Sequence, residues 1–159
     1  MNVLNLGKAL VVYDSVYGNT EKVAKALAAG LENGGVDVDV VRVDAVRFDE
    51  LGKVDLLCVG SPVHGRSASK PVKEFLERLK TVKGLSGKKA FAFDTKMKIM
   101  MKIRLAGSAG GKIERKLKDM GLTIARHSES AVVEGSEGPL EESAEGTFKQ
   151  IGTELAKLL

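Results

Sequence analysis

Several residue types that support particular protein classes are rare or missing in this 159-residue chain. It contains no tryptophan, three prolines, two histidines and a single cysteine, Cys58. One cysteine cannot form an internal disulfide, and two histidines without a cysteine cluster supply too few ligands for a structural zinc site. We therefore expect neither a disulfide framework nor a bound metal. Because Cys58 lies in an apolar run, it is predicted to be a buried small hydrophobic residue.

Long hydrophobic runs are also missing. No run approaches the roughly 18 apolar residues of a membrane-spanning helix, and residues 1–8 lack the apolar core of a signal peptide. We therefore expect a cytoplasmic protein without a membrane span. The chain is 43% apolar, and its length favours one domain over residues 1–159 with a sizeable core.

Charge is distributed unevenly along the chain, whose net charge is +4. Ten basic and two acidic residues lie between Lys88 and Lys118, so this segment carries +8 and the remainder −4. Such a segment is typical of a surface that meets an anionic partner, or of a solvated helix face followed by a loop. Nucleic acid is not expected as the partner, because the basic residues have almost no aromatic neighbours for base stacking.

The most informative stretch is a polar turn between a short apolar run, Ala9–Tyr13, and an amphipathic run that begins at Thr20. This context predicts a strand, a tight turn and the start of a helix, where the helix dipole and free backbone N–H groups favour an anion. The turn is therefore predicted to hold a phosphate group, or else it only caps the helix. The chain has neither the P-loop lysine nor the triple-glycine dinucleotide fingerprint. The turn consists of Ser15, Val16, Tyr17, Gly18, Asn19 and Thr20.

Hydrophobic periodicity predicts an alternation of strands and helices along the rest of the chain. The predicted strands include a half-exposed one and two buried ones, and a last strand in two pieces. This alternation indicates an α/β fold in which a parallel sheet carries helices on both faces. The predicted strands after Ala9–Tyr13 are Val36–Val43, Val54–Gly60, Ala90–Phe93, and Leu122–Ala125 with Ala131–Val133; the predicted helices begin at Thr20, Pro71, Ser108 and Ala144.

Three loops follow the carboxyl ends of the buried strands: 14–20, 61–69 and 94–107. Ligands of open parallel sheets bind beyond these ends, where the strand order reverses. If the order is 2-1-3-4-5, the first two loops flank that point and the third lies beside them. The third loop, Asp94–Gly107, is longer than usual for a connection, which is typical of a functional segment.

The first two loops resemble those of a known family. Asp14–Thr20 resembles the FMN phosphate loop of flavodoxins, in the variant with an aromatic residue before the glycine that is similar to the flavodoxin domains of flavodiiron proteins. Gly60–Gly65 resembles the second flavin-contacting loop of the same family. The resemblance covers nearly the whole chain. It implies a flavodoxin-like, doubly wound, five-stranded parallel sheet of order 2-1-3-4-5 and one non-covalently bound FMN.

The resemblance also assigns expected roles to individual residues. The peptide between His64 and Gly65 is the expected partner of flavin N5, because glycine permits the positive φ that a backbone rearrangement needs there. Asp94 and Thr95 are expected near the ribityl chain or the ring edge. Val16 and Ser61 are expected among the cofactor-binding residues. The residues expected to hold the phosphate are Ser15, Tyr17, Gly18, Asn19 and Thr20, and those expected along the isoalloxazine ring are Pro62, Val63, His64 and Gly65.

By the same resemblance, the chain is an electron carrier that shuttles electrons between redox proteins. In that case FMN does the chemistry and no side chain is catalytic. Two alternatives remain: an FMN-dependent NAD(P)H or quinone reductase, and a flavodoxin-like module that has lost FMN. Acidic redox partners are expected, because four basic residues fall in the third loop: Lys96, Lys98, Lys102 and Arg104.

Overall fold

The computed structural model describes residues 7–101 and 108–159. The strands are β1 Lys8–Tyr13, β2 Asp37–Arg42, β3 Leu56–Pro62, β4 Lys89–Met97, β5 Thr123–Ile124 and β6 Glu129–Val133; the α-helices are α1 Asn19–Asn33, α2 Lys70–Leu79, α3 Lys98–Met101, α4 Ala109–Asp119 and α5 Ala144–Ala156. The strands form a parallel β-sheet of order β2-β1-β3-β4-β5, and β6 also pairs with β4. The predicted fold class and strand order are confirmed.

Both edges of the sheet are irregular or polar. β5 and β6 lie against the same side of β4, with Ile124 opposite Ala90 and Glu129 opposite Phe93. They are therefore two pieces of one interrupted edge strand, as the sequence predicts. At the other edge, β2 alternates exposed and half-buried residues, which confirms the prediction of a half-exposed strand.

Two apolar layers cover the two faces of the sheet. β3 contributes to both, because successive side chains of a strand point to opposite faces. Leu56 and Cys58 pack in the layer that includes α1 and α5, whereas Leu57 and Val59 pack in the layer that includes α2 and α4. All four side chains are fully buried, and burying a side chain such as leucine stabilises a fold by about 1.5–3 kcal/mol. This confirms the predicted central strand.

Helices α1 and α5 approach each other through two glycines. A Cβ atom on Gly30 would overlap the backbone carbonyl oxygen of Lys149, and one on Gly152 would overlap that of Leu27. The absence of side chains at these positions lets the two helices pack backbone against backbone. Because α1 begins at the predicted phosphate turn, this close contact helps to fix the position of that turn against the sheet.

The third loop differs from its prediction. β4 does not end at Phe93 but continues to Met97, and the one-turn helix α3 follows directly. Thus Asp94 and Thr95 are buried strand residues, and the prediction that the loop begins at Asp94 is wrong. The strand continues because tertiary partners satisfy these polar side chains, as described below. The predicted docking residues Lys102 and Arg104 lie outside the described residues. Two 3-10 helices, Val43–Ala45 and Phe48–Lys53, were not predicted.

Candidate ligand-binding site

The turn before α1 has the geometry of an anion site. Gly18 adopts the left-handed conformation at φ 89°, and its N–H donates to Ser15 Oγ at 3.0 Å. The first hydrogen bond of the helix runs from Lys22 N–H to Gly18 O at 3.2 Å, so the N–H groups of the preceding first turn have no intrahelical acceptor. A Cβ on Gly18 would meet nothing within 4 Å. The turn therefore offers backbone N–H donors at the positive end of a helix dipole, and the space beside the Gly18 Cα is open.

Arg42, the last residue of β2, binds the residues at the start of this turn. Its Nη1 donates to Ser15 O at 3.1 Å, and its Nη2 lies 3.3 Å from Asp14 Oδ1. The backbone N–H of Asp14 in turn donates to Gly60 O at 3.2 Å. Asp14 and Ser15 are buried, so the base of the turn is fixed to two neighbouring strands. Sequence reasoning missed Arg42; its only signal was a cation at the carboxyl end of the predicted second strand.

A tyrosine and a glutamate join β1 to the first turn of α1. The Tyr13 hydroxyl donates to Glu21 Oε2 at 2.9 Å. Burial raises the pKa of Tyr13, and the neighbouring Glu21 carboxylate raises it further. The same hydrogen bond lowers the pKa of Glu21, and Lys25 adds to this effect. The pair fixes the helix start relative to the strand without using a backbone N–H of the turn.

The loop after β3 is built by internal hydrogen bonds. Ser61 Oγ accepts from Ser69 N–H at 2.9 Å and donates to Pro62 O at 2.8 Å. Val63 N–H donates to Thr95 O at 3.1 Å, which ties this loop to β4. Ser61 is fully buried, so its hydroxyl shapes the loop and does not face the solvent. This loop passes Pro62 and Val63 along the end of the sheet.

These segments meet at a cavity of about 220 Å³ at the carboxyl ends of β1, β3 and β4. Eight of the predicted site residues line it, from all three predicted regions. The structure therefore brings together the two loops that carry the family resemblance, as expected for a switch-point crevice. The predicted residues in the lining are Val16, Tyr17, Asn19, Thr20, Pro62, Val63, His64 and Thr95; the other lining residues are Met97, Val133, Gly135 and Ser136.

Thr20 and Thr95 join two of these elements in the cavity wall. Their Oγ1 atoms lie 2.8 Å apart, and either hydroxyl can be the donor. Only 1% of Thr20 and 6% of Thr95 is exposed. Each hydroxyl retains further hydrogen-bonding capacity beyond this single contact. The pair therefore links α1 to β4 and leaves capacity for a ligand.

Five predicted residues do not line the cavity. Ser15 and Gly18 form the body of the first turn, and Gly65 lies on the exposed part of the second loop. Ser61, predicted to lie in that loop, is a residue of β3 whose hydroxyl accepts from Ser69 N–H of the loop. Asp94 differs most from its prediction. Its Oδ2 accepts from Ser108 Oγ and Gly110 N–H, both at 2.8 Å, at the start of α4, and its Oδ1 has no hydrogen-bond partner among the described residues. Asp94 is thus directed toward α4, because adjacent strand residues alternate faces and Thr95 faces the cavity.

A fourth wall of the cavity was not predicted. Residues 134–139 form a hairpin turn after β6, closed by a hydrogen bond from Glu134 N–H to Pro139 O at 2.9 Å. Asn19 Nδ2 donates to Glu137 O at 3.2 Å, so the Asn19 side chain binds this hairpin and leaves its backbone N–H for a ligand. The available sequence signal was a glycine- and proline-containing turn directly after the last predicted strand.

The charges around the cavity are mixed. Lys96, predicted to lie in the third loop, is a residue of β4 and only 9% exposed, so its predicted position is wrong. Lys98 is exposed and lies 3.8 Å from Glu134 of the hairpin. Charges of both signs therefore lie near the cavity in the described part of the chain, whereas the sequence indicated an excess of basic residues in the third loop.

Within residues 7–101 and 108–159, none of the helices combines the length and the apolar character that crossing a bilayer requires. The same residues contain no group of three or more histidine, cysteine, aspartate or glutamate side chains arranged to hold a metal ion.

Comparison with known proteins identifies the family. The sequence model of the flavodoxin family matches residues 11–151. A flavodoxin of Clostridium beijerinckii is 36% identical over 85 residues, which are 52% of this chain and 60% of that protein. An NAD(P)H dehydrogenase (quinone) of Archaeoglobus fulgidus is 29% identical over 116 residues, which are 55% of this chain and 61% of that protein. The matched segments thus span about 60% of the length of both curated relatives.

A solved structure agrees with these matches. A flavodoxin from the domain Archaea superimposes with a TM-score of 0.80 at 27% identity, covering 95% of this chain and 97% of the other. The family match extends over most of the chain, and the strand order and cavity position agree with it. The chain belongs to the flavodoxin family.

Proposed function

We propose that the chain binds one FMN in this cavity and carries electrons between redox proteins. The observation that supports this most directly is the turn before α1. It combines a left-handed Gly18, open space beside the Gly18 Cα, and first-turn backbone donors without intrahelical acceptors. A phosphate monoester is a dianion that fits such a site. Members of the flavodoxin family bind flavin, usually FMN, and the present cavity adjoins that turn.

In this proposal, the residues of the cavity divide into two groups. The phosphate would be held by the hydroxyl of Thr20 and by the backbone N–H groups at the start of α1, and Arg42 would hold the turn in place through Ser15 O. The ring would contact Pro62, Val63 and His64, and Met97 is available as a polarisable apolar contact. Bound FMN would supply the one- and two-electron chemistry. The chain's own residues bind, orient and shield it, so no side chain is assigned a catalytic role.

The binding step is tested by titrating the flavin-free protein with FMN and with riboflavin, which lacks the phosphate. We expect quenching of flavin fluorescence and an affinity for FMN at least about a hundredfold higher, because charged hydrogen bonds each contribute about 1.5–3 kcal/mol. Equal affinities within twofold would contradict a phosphate site in the turn. Absence of FMN binding would favour the module that has lost its cofactor.

A pair of glycine variants locates the phosphate contact. Gly18→Ala places a side chain in the left-handed region at a cost of roughly 1–2 kcal/mol. The free turn can avoid this cost by leaving its binding conformation, and FMN binding then weakens by up to about 5- to 30-fold. Riboflavin binding changes less than twofold. The control is Gly146→Ala, because Gly146 lies in α5 with nothing within 4 Å of an added Cβ. Equal effects of the two variants on FMN would show that the turn does not hold the phosphate.

The similarity to an NAD(P)H dehydrogenase (quinone) supports a second candidate, an FMN-dependent NAD(P)H or quinone reductase. The two functions separate when the FMN-loaded protein is mixed anaerobically with NADH or NADPH. A pure carrier bleaches slowly or not at all with either nucleotide, whereas a reductase bleaches rapidly. Rapid bleaching followed by reoxidation with a quinone would replace the carrier proposal.

The charge of the partner belongs to the same proposal. Lys98 is exposed next to the cavity, and Lys102 and Arg104 are close to it in sequence. The surface is extended by exposed apolar side chains, Tyr17 and Met101. If an acidic partner docks here, the reduced protein transfers electrons faster to anionic ferricyanide than to a cationic cobalt complex of similar size. The ferricyanide rate then falls as salt is added. A preference for the cationic acceptor would contradict an acidic partner.

A further inference from the structure

The tip of the loop after β3 contains an unusual backbone conformation. His64 N–H donates to Ser67 O at 2.8 Å, and Ser67 N–H donates to His64 O at 3.1 Å. The two residues between them, Gly65 and Arg66, have φ values of 55° and 69°. Within residues 7–101 and 108–159, Arg66 is the only non-glycine residue with a positive φ. A side chain is disfavoured in this region, so the surrounding structure must hold Arg66 there.

One contact from another element reaches this residue. Lys112 Nζ donates to Arg66 O at 2.7 Å. Hydrogen bonds from a charged donor are shorter and stronger than neutral ones. This contact joins α4 to the loop across 46 residues of sequence, and it acts on the carbonyl of the strained residue itself.

The position of Lys112 is itself fixed by the sheet. Lys112 lies in the first half of α4, and the start of that helix is held by Asp94 of β4. Ser108 Oγ and Gly110 N–H both donate to Asp94 Oδ2 at 2.8 Å. Asp94 is fully buried, so the ammonium group of Lys112 is presented from a rigid base. This arrangement gives Asp94 an indirect influence on the loop, although it does not face the cavity.

We infer that Lys112 is a positioning residue for the turn formed by residues 64–67, keeping Arg66 in the left-handed region and His64 in the cavity wall. Its effect on flavin affinity rests on the proposed function, whereas its effect on the turn does not. Where a binding-competent conformation is only partly populated, the apparent dissociation constant rises in inverse proportion to that population. Holding the turn in place before the ligand arrives therefore strengthens binding.

The test uses Lys112→Met, with Lys118→Met as the matched control, because both lysines are exposed on α4. The first measurement is hydrogen exchange of the Ser67 amide in the flavin-free protein, since this amide closes the turn. The second is the dissociation constant for FMN. If loss of the contact lowers the population of the turn to roughly one fifth, the FMN affinity falls about fivefold. The Ser67 amide is then open most of the time and loses nearly all of its protection. Lys118→Met changes each less than twofold.

Arg66→Gly provides the decisive comparison. Glycine adopts positive φ without the penalty of a side chain, so the turn then depends less on Lys112. We expect Lys112→Met to change Ser67 exchange and FMN affinity less than twofold in the Arg66→Gly background. Equal effects in both backgrounds, or unchanged Ser67 exchange in Lys112→Met alone, would overturn the inference and leave Lys112 with only a general charge effect. If wild-type protein fails to bind FMN, the proposed function fails, and the exchange comparison still decides the role of Lys112.

Discussion

The hydroxyl pair of Thr20 and Thr95 permits a quantitative test of the cavity wall. Their oxygen atoms are 2.8 Å apart and both residues are buried. Valine has nearly the shape of threonine, so Thr20→Val or Thr95→Val removes one hydroxyl and leaves the other without this partner. An unsatisfied buried hydroxyl costs about 1–3 kcal/mol, whereas replacing both partners by apolar groups of the same shape is nearly neutral. The double variant is therefore expected to be more stable than the sum of the single variants indicates.

Urea denaturation of the flavin-free protein measures this coupling, provided that the dependence of the free energy of unfolding on urea is unchanged. We expect a coupling free energy of about 1 kcal/mol or more, above the 0.3–0.5 kcal/mol scatter of independent sites. Additive effects within that scatter would refute the hydrogen bond. Titration with FMN then separates the two hydroxyls: Thr20→Val weakens FMN binding about tenfold or more, whereas Thr95→Val weakens it less than threefold.

Three further predictions concern packing, reactivity and pH. Gly30→Ala overlaps the backbone of α5 and is expected to lower the free energy of unfolding by at least about 3 kcal/mol; Gly146→Ala, in open space, raises it by about 0.5–1 kcal/mol, and urea denaturation compares the two. Cys58 is fully buried and burial raises the pKa of its thiol, so a thiol reagent at pH 8 modifies it only after unfolding; prompt labelling of folded protein would contradict its burial. Because burial and Glu21 raise the pKa of Tyr13, the stability that this residue provides is complete below pH 10 and is lost as pH rises through the folded-state pKa. Tyr13→Phe should therefore flatten the fall in unfolding free energy above pH 10, and identical alkaline profiles would show that Tyr13 does not contribute to it.

The order of the elements and the first loop were predictable because their signals are local. Alternating apolar residues mark β2, a continuous apolar run marks β3, and the polar turn after β1 marks the start of α1. The N-cap of α4 was equally local, since Ser108 Oγ accepts from Gly111 N–H at 3.1 Å. Such features depend on neighbouring residues and can be derived from the sequence alone.

The misplaced features depend on distant partners. Asp94 and Thr95 extend β4 although they are polar, because both have distant partners. Ser108 and Gly110 donate to Asp94 Oδ2, and the Thr95 hydroxyl pairs with that of Thr20, 75 residues away. The hairpin at 134–139 lines the cavity because it follows β6, which pairs with the carboxyl-terminal half of β4. Hydrophobic periodicity carries no information about such contacts between residues that are distant in sequence.

The interrupted strand at one border of the sheet has a consequence for how copies of the chain behave at high concentration. Between β5 and β6, residues 125–128 break the row of backbone donors and acceptors that another sheet would need for pairing. At the opposite border, β2 presents the exposed carboxylates of Asp37 and Asp39. Interrupted edge strands and charged edge residues both disfavour edge-to-edge pairing between the sheets of two molecules. Fibrous aggregation of the folded protein through either border is accordingly disfavoured.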